Sequence, residues 1–165
     1  MPRATLEALI KRQIDAWNRH DPASLAQQYT PDAIVESPMF ANLRGRQAIE
    51  GSNRAFLTSF PDAEFALDTV VIDAPRMAVF LKFKATHVGE FFGLPGTNKH
   101  IQVPMARFVT TEGGLIAHER RIYDFTGLLV QVGVLRATPV GWCSSGTSRS
   151  VSRSSASPRA RRLAR

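Results

Sequence analysis

Apolar positions along this chain follow a helical period over the first sixty residues and a strand period after them. In residues 4–18, Leu6, Leu9, Ile10, Ile14 and Trp17 fall on one stripe while Lys11, Arg12 and Asp15 lie off it, the pattern of an amphipathic helix. A second, short helix is predicted at "HDPASLAQQY", where Asp21 is a favourable N-cap, Pro22 fits the first helical position, and Leu25 and Tyr29 face inward. "TPDAIVESP" reads as a short strand bounded by prolines. "GRQAIEGSNRAFLTSF" reads as a third helix with Ile49, Phe56 and Phe60 on its apolar side, stopped by Pro61.

From Ala63 onward the period is two. "EFALDTVVID" and "RMAVFLKFKATHV" form one predicted hairpin, and "KHIQVPMARFVT" and "LIAHERRIYD" a second, turned at "TEGG". Leu128, Leu129, Val132 and Leu135 then return to helical spacing. The order α-α-β-α-β-β-β-β-α predicts an α+β domain, three N-terminal helices packed on a curved, mostly antiparallel sheet, with no internal repeat. Such a sheet encloses a pocket. In its second long strand Met77, Val79, Leu81, Phe83, Ala85 and His87 share the inward face, and Lys82, Lys84 and Thr86 the wet one. His87 ends the inward row beside "GEFFGLPGTN", a loop whose Phe91 and Phe92 are expected to cover an apolar pocket as a mobile lid.

Composition changes this picture mainly at the C-terminal end. The chain has 165 residues and a formal charge of +7, but residues 141–165 hold six arginines and no acid. Removing those six from the 21 basic residues leaves 15 against 14 acids, so the body is no nucleic-acid surface by charge. One domain over residues 1–140 and a disordered Ser/Arg-rich tail over 141–165 are expected. The single cysteine, Cys143, excludes an internal disulfide or a cysteine-based metal cluster. No apolar run approaches the roughly 20 residues of a membrane span, and no apolar signal core follows Met1, so a cytoplasmic location is expected. The four histidines form no pair at metal-ligand spacing, and no P-loop, dinucleotide fingerprint or nucleophile elbow is present.

Candidate chemistry centres on "HERRIYDFTGLLVQVG", where a strand ends at Asp124 and a helix begins. Asp124 or Thr126 can cap that helix. Asp124 can also serve as a general base, removing a proton alpha to a carbonyl, with His87 as the donor that holds the enolate oxygen. By strict alternation His118 and Arg120 share the parity of Asp124; they either pair with it or lie on the solvated outer face. Trp17, Phe83, Phe91 and Phe92 are the candidate apolar contacts to a substrate and His118 and Arg120 the candidate polar ones, with Trp17 and Tyr29 better suited to a core role than to ligand contact.

Four segments in order carry a resemblance to a known family. "AWNRHDPASLAQQYTPDAIVESP", "LRGRQAIEG", "HVGEFFGLPGTNK" and "DFTGLLVQVG" are similar to the corresponding stretches of the SnoaL-like polyketide-cyclase branch of the NTF2-like superfamily. The match spans roughly residues 5–135. The resemblance implies an NTF2-like cone and a cofactor-independent, metal-free enzyme in which the aspartate at the Asp124 position acts as general acid/base in an aldol-type ring closure. The substrate implied is a hydrophobic polyketide-like or cyclic carbonyl compound. A homo-oligomer, dimer or tetramer, is expected, with neither a specific nucleic-acid partner nor a membrane span. A non-catalytic binder of small hydrophobic ligands, or another pocket enzyme such as an isomerase or epoxide hydrolase, is the alternative. The steroid-isomerase branch carries its base as the aspartate of a "V-E-D-P" strand; here the segment is Val35-Glu36-Ser37-Pro38, with serine at that place.

Overall fold

The computed structural model describes residues 2–136; the expected tail over 141–165 lies outside the described residues. Ten elements follow one another: α1 (Arg3–Asn18), α2 (Pro22–Gln27), β1 (Tyr29–Ser37), β2 (Phe40–Arg44), α3 (Arg46–Ser59), β3 (Glu64–Asp73), β4 (Arg76–Thr86), β5 (His100–Glu112), β6 (Leu115–Tyr123) and α4 (Phe125–Val132). The α+β architecture is the one the periodicity predicts, with one added element. The short strand β2 pairs back on β1.

One six-stranded sheet has the order β2-β1-β6-β5-β4-β3. All neighbours are antiparallel except β1 and β6, which run parallel. The curved sheet wraps its inner face around the helices. The stripe of α1 is buried through Leu6, Leu9, Ile10, Ala16 and Trp17. Asn18 pins the end of α1 to β3, its amide donating to Phe65 O at 3.0 Å while its Oδ1 accepts from Phe65 N at 2.7 Å. That clamp holds Trp17 against Phe65, with ring centroids 4.6 Å apart. Asp21 caps α2 by accepting from Ser24 N. Gly45 enters α3 at φ 82°, where a side chain would be strained and would also press on Pro31 O.

Strand β4 alternates as predicted: Met77, Val79, Leu81, Phe83 and Ala85 are buried, and Lys82 and Lys84 are exposed. Strand β6 does not alternate strictly. Thr110 pairs with His118 but Thr111 pairs with Ile116, so β6 carries one extra residue against β5. This bulge slips the parity by one position. Ile116 is buried before it; after it Glu119 is buried, and Arg121 and Tyr123 face the interior with it.

Candidate functional site

Beneath the helices the inner face encloses a cavity walled by Trp17, Phe56, Phe65, Leu81, Phe83 and Met105, with Met39 and Phe40 at the β1–β2 turn. The polar groups that reach it are Ser37, Ser52, Asn53, Arg107, Arg121 and Tyr123. Its free space is small, about 40 Å³, room for about three water molecules. A ringed ligand enters only if walls move.

A buried ionic cluster underlies the cavity. Glu119, fully buried, receives Arg107 through two bonds (Nε to Oε1 at 2.9 Å, Nη2 to Oε2 at 2.6 Å), Arg121 Nε at 2.6 Å and the Tyr29 hydroxyl at 2.6 Å. Arg107 Nη2 also donates to Gln13 Oε1 at 2.8 Å. Burial alone works to raise the carboxyl pKa of Glu119, but the charges of Arg107 and Arg121 and the bonds from Arg107 and Tyr29 outweigh it, holding Glu119 well below the usual range. Burial, reinforced by the neighbouring Glu119 charge, pushes the Tyr29 hydroxyl up to about 12. Both guanidiniums stay charged: burial works against them, and Glu119 more than compensates.

Closer to the β1–β2 turn, Tyr123 OH lies 3.0 Å from Ser37 Oγ, which accepts from Met39 N. Burial raises the Tyr123 hydroxyl pKa, partly offset by the bond to Ser37. Ser37 occupies the place of the isomerase-type base and does face the cavity. Glu36, its neighbour, points the other way.

The predicted residues are divided between cavity, core, rim and outer face. Trp17 and Phe83 line the cavity. Phe91 is buried in the core against Phe60 (5.1 Å between centroids) and His87 (6.0 Å). Phe92, 57% exposed, stacks on the cavity-wall Phe40 at 6.1 Å and touches Phe125 at 5.8 Å, so the loop reaches the cavity rim through this ring.

His87 is fully buried but does not line the cavity. Thr97 gives its single hydroxyl proton to Val132 O, so its oxygen accepts from His87 Nδ1 at 3.0 Å. His87 Nε2 is left buried without a partner, and burial pushes the imidazole pKa down. A neutral ring that already donates from Nδ1 has no second proton for an enolate oxygen.

Asp124 is exposed, and its Oδ1 accepts from Gly127 N at 2.7 Å as the N-cap of α4. Of the two placements expected for His118 and Arg120 the structure has the outer face, not a pairing with Asp124 or a place in the cavity: both bond Glu36, His118 Nε2 at 2.7 Å from Oε1 and Arg120 Nε at 2.6 Å from Oε2. The β6 bulge is the cause, because it puts Glu119, Arg121 and Tyr123 inward instead. Sequence reasoning missed Arg107, Arg121, Glu119, Tyr123 and Asn53. The signal for Glu119, Arg121 and Tyr123 was the run of charges in "HERRIY", too polar for a strand with one face in a core unless its charges pair inside; Arg107 on β5 and Asn53 on α3 had no such local signal.

Among the described residues no three His, Cys, Asp or Glu side chains cluster as a metal site, and no helix is long and apolar enough to cross a membrane. The family model described as SnoaL-like polyketide cyclase matches residues 7–132. The aklanonic acid methyl ester cyclase DnrD of Streptomyces peucetius is 25% identical over 141 residues, covering 81% of this chain and 94% of that protein. A steroid Δ-isomerase of Nocardioides simplex is 32% identical over 84 residues, 50% of this chain and 65% of that one. Among solved structures, TsrD from Streptomyces laurentii superposes with a TM-score of 0.73 at 24% identity, covering 82% of this chain and 99% of its own. An NTF2-like protein of unknown function from Burkholderia pseudomallei does so with 0.68 at 13% identity, covering 78% and 98%.

Proposed function

Because this chain belongs to the SnoaL-like polyketide cyclase family, we propose that its cavity takes up a hydrophobic, carbonyl-bearing molecule of polyketide type and promotes an aldol-type ring closure on it by proton transfer. The observation that carries this reading is the pair Arg121 and Tyr123 as donors among aromatic and aliphatic walls. Ring closure through an enolate develops negative charge on a carbonyl oxygen, and donors fixed in apolar surroundings stabilise that charge better than water does. Tyr123 suits the task, since its raised pKa keeps it protonated.

The base in this proposal is Asp124, the residue after Tyr123. Glu119 is unsuited, being locked in its charged form by two guanidiniums. Asp124 is exposed on its cap, so the reacting carbon sits at the rim rather than at the cavity floor. A ringed substrate also displaces walls of the 40 Å³ space, and Phe92 on Phe40 is the rim contact placed to yield. Outside the cavity, the exposed Phe80, Phe108 and Ile122 on the outer sheet face supply a surface for a second copy, as a dimer or tetramer; light scattering tests that assembly.

The decisive assay incubates the chain with aklanonic acid methyl ester, the compound in the name of the DnrD relative, and follows ring closure by chromatography. Conversion is expected, falling roughly 10²- to 10⁴-fold in Asp124→Asn while binding persists. Absence of both conversion and binding, for this ester and for simpler aromatic carbonyl compounds, overturns the reading. Binding with no turnover by the parent chain establishes the second reading, a non-catalytic binding protein. The engagement of Asp124 as an exposed helix cap is the observation in its favour.

A further inference from the structure

Two guanidiniums and one carboxylate share the interior beneath the cavity. Arg107 is 3% exposed and Arg121 12%, against 0% for Glu119. Among the described residues Glu119 is the one carboxylate paired with either arginine, at 2.6 Å from Arg107 Nη2 and 2.6 Å from Arg121 Nε. Tyr29 and Tyr123 are held protonated and contribute none. The cluster therefore carries a net charge of +1. A buried charge without a counter-charge is costly. Residues 137–165 contain no aspartate or glutamate side chain.

A second observation points to the same place. Asn53, 1% exposed on α3, lines the cavity with its Nδ2 donor unpartnered. Both arginines line the same cavity. The polar side of the site thus presents donors and excess positive charge, with no acceptor charge left over.

We propose that the natural ligand enters as an anion, a free carboxylic acid or comparably acidic phenol on an aromatic or polyketide-type body, whose charged oxygen meets Arg121 and Asn53. The apolar body lies along Trp17, Phe65 and Phe83. A neutral ester fills the same walls but leaves the extra charge unanswered. The inference rests on the cavity being the binding site, and it is narrower than that reading because it fixes the charge state of what binds.

The test is a charge series on one ring system, measured by calorimetry with the full chain: 2-naphthoate, methyl 2-naphthoate and 2-naphthylmethylammonium. The carboxylate is expected to bind about 10- to 100-fold more tightly than the ester, the usual worth of a hydrogen bond to a charged group, and the ammonium most weakly. Arg121→Met should erase the gap between carboxylate and ester; the readout is the ratio of the two affinities, because Arg121 itself lines the site. The series on the parent chain stands alone if that variant does not fold. Equal affinity of carboxylate and ester, or a preference for the ammonium, overturns the anion inference and leaves the cavity reading standing. If none of the three binds, the anion inference falls, and the cavity reading falls with it only when the polyketide ester is neither bound nor converted.

Discussion

Replacing Glu119 with glutamine exchanges one carboxylate oxygen for an amide nitrogen and leaves the guanidiniums of Arg107 and Arg121 in the interior without a carboxylate. Glu119 accepts four hydrogen bonds between 2.6 and 2.9 Å from Arg107, Arg121 and Tyr29. The amide retains one acceptor oxygen, adds a donor directed at donors, and removes the only negative charge. Breaking a buried ion pair by removing one partner costs about 3–5 kcal/mol. At roughly 2–4 °C per kcal/mol for a chain of this size, the melting temperature falls by roughly 6–20 °C. Urea unfolding should show a lower midpoint at unchanged slope, since the surface exposed on unfolding is the same. The pH dependence has a definite sign. Because the folded carboxyl lies below its ordinary 4.5, its contribution is present above that value and is lost as pH falls through and beneath it. Glu119→Gln should flatten that acid limb. Replacing Arg107, Glu119 and Arg121 together by apolar residues should restore much of the loss. A loss below about 1 kcal/mol in Glu119→Gln would refute the claim that this cluster is a tightly coupled interior unit.

Three smaller perturbations separate the remaining roles. Asp124→Ala removes the cap on α4 and should cost about 1 kcal/mol, whereas Asp124→Asn should melt like the parent; thermal melts compare them, and equal melts for all three would show that the bond to Gly127 N contributes nothing. His87 has a folded pKa below its ordinary 6.5, so stability should decline as pH drops beneath 6.5, where the unfolded chain takes up the proton first. In His87→Gln the melting temperature should lose that part of its slope, and an unchanged slope would count against it. Phe92→Ala should alter stability by no more than about 0.5 kcal/mol, its ring being 57% exposed, yet speed the association of 2-naphthoate in stopped-flow mixing. An unchanged association rate would remove Phe92 from the entry path.

Most elements were legible because their burial follows period. The α1 stripe and the inward row of β4 depend only on which positions repeat, and a helix or strand with one wet face has no other solution. Strand β2 escaped notice. It has five residues, follows Pro38 closely, and acquires its identity by pairing with β1, a non-local contact that a five-residue pattern does not announce. The loop from Val88 to Asn98 was legible as a loop but not as two separate structures. Phe91 is buried and its neighbour Phe92 is at the rim, a division set by Ser59, whose backbone O accepts from Val88 N and Gly89 N and whose hydroxyl donates to Glu90 O.

The site was harder to read for a specific reason. Strict alternation from Ile116 brings His118, Arg120 and Asp124 to the interior, and that arithmetic is sound for a regular strand. One residue inserted opposite Thr110 and Thr111 reverses it. The outcome is energetic as much as geometric. With the bulge, Glu119 turns in to meet Arg107, Arg121 and Tyr29, while His118 and Arg120 turn out to meet Glu36. Every side chain of "HERR" thereby acquires a partner. Without it, Glu119 and Arg121 would face outward and leave buried Arg107 with no carboxylate. The bulge and the ionic cluster therefore specify each other, and the excess cation they leave beside the cavity is what an anionic ligand would complete.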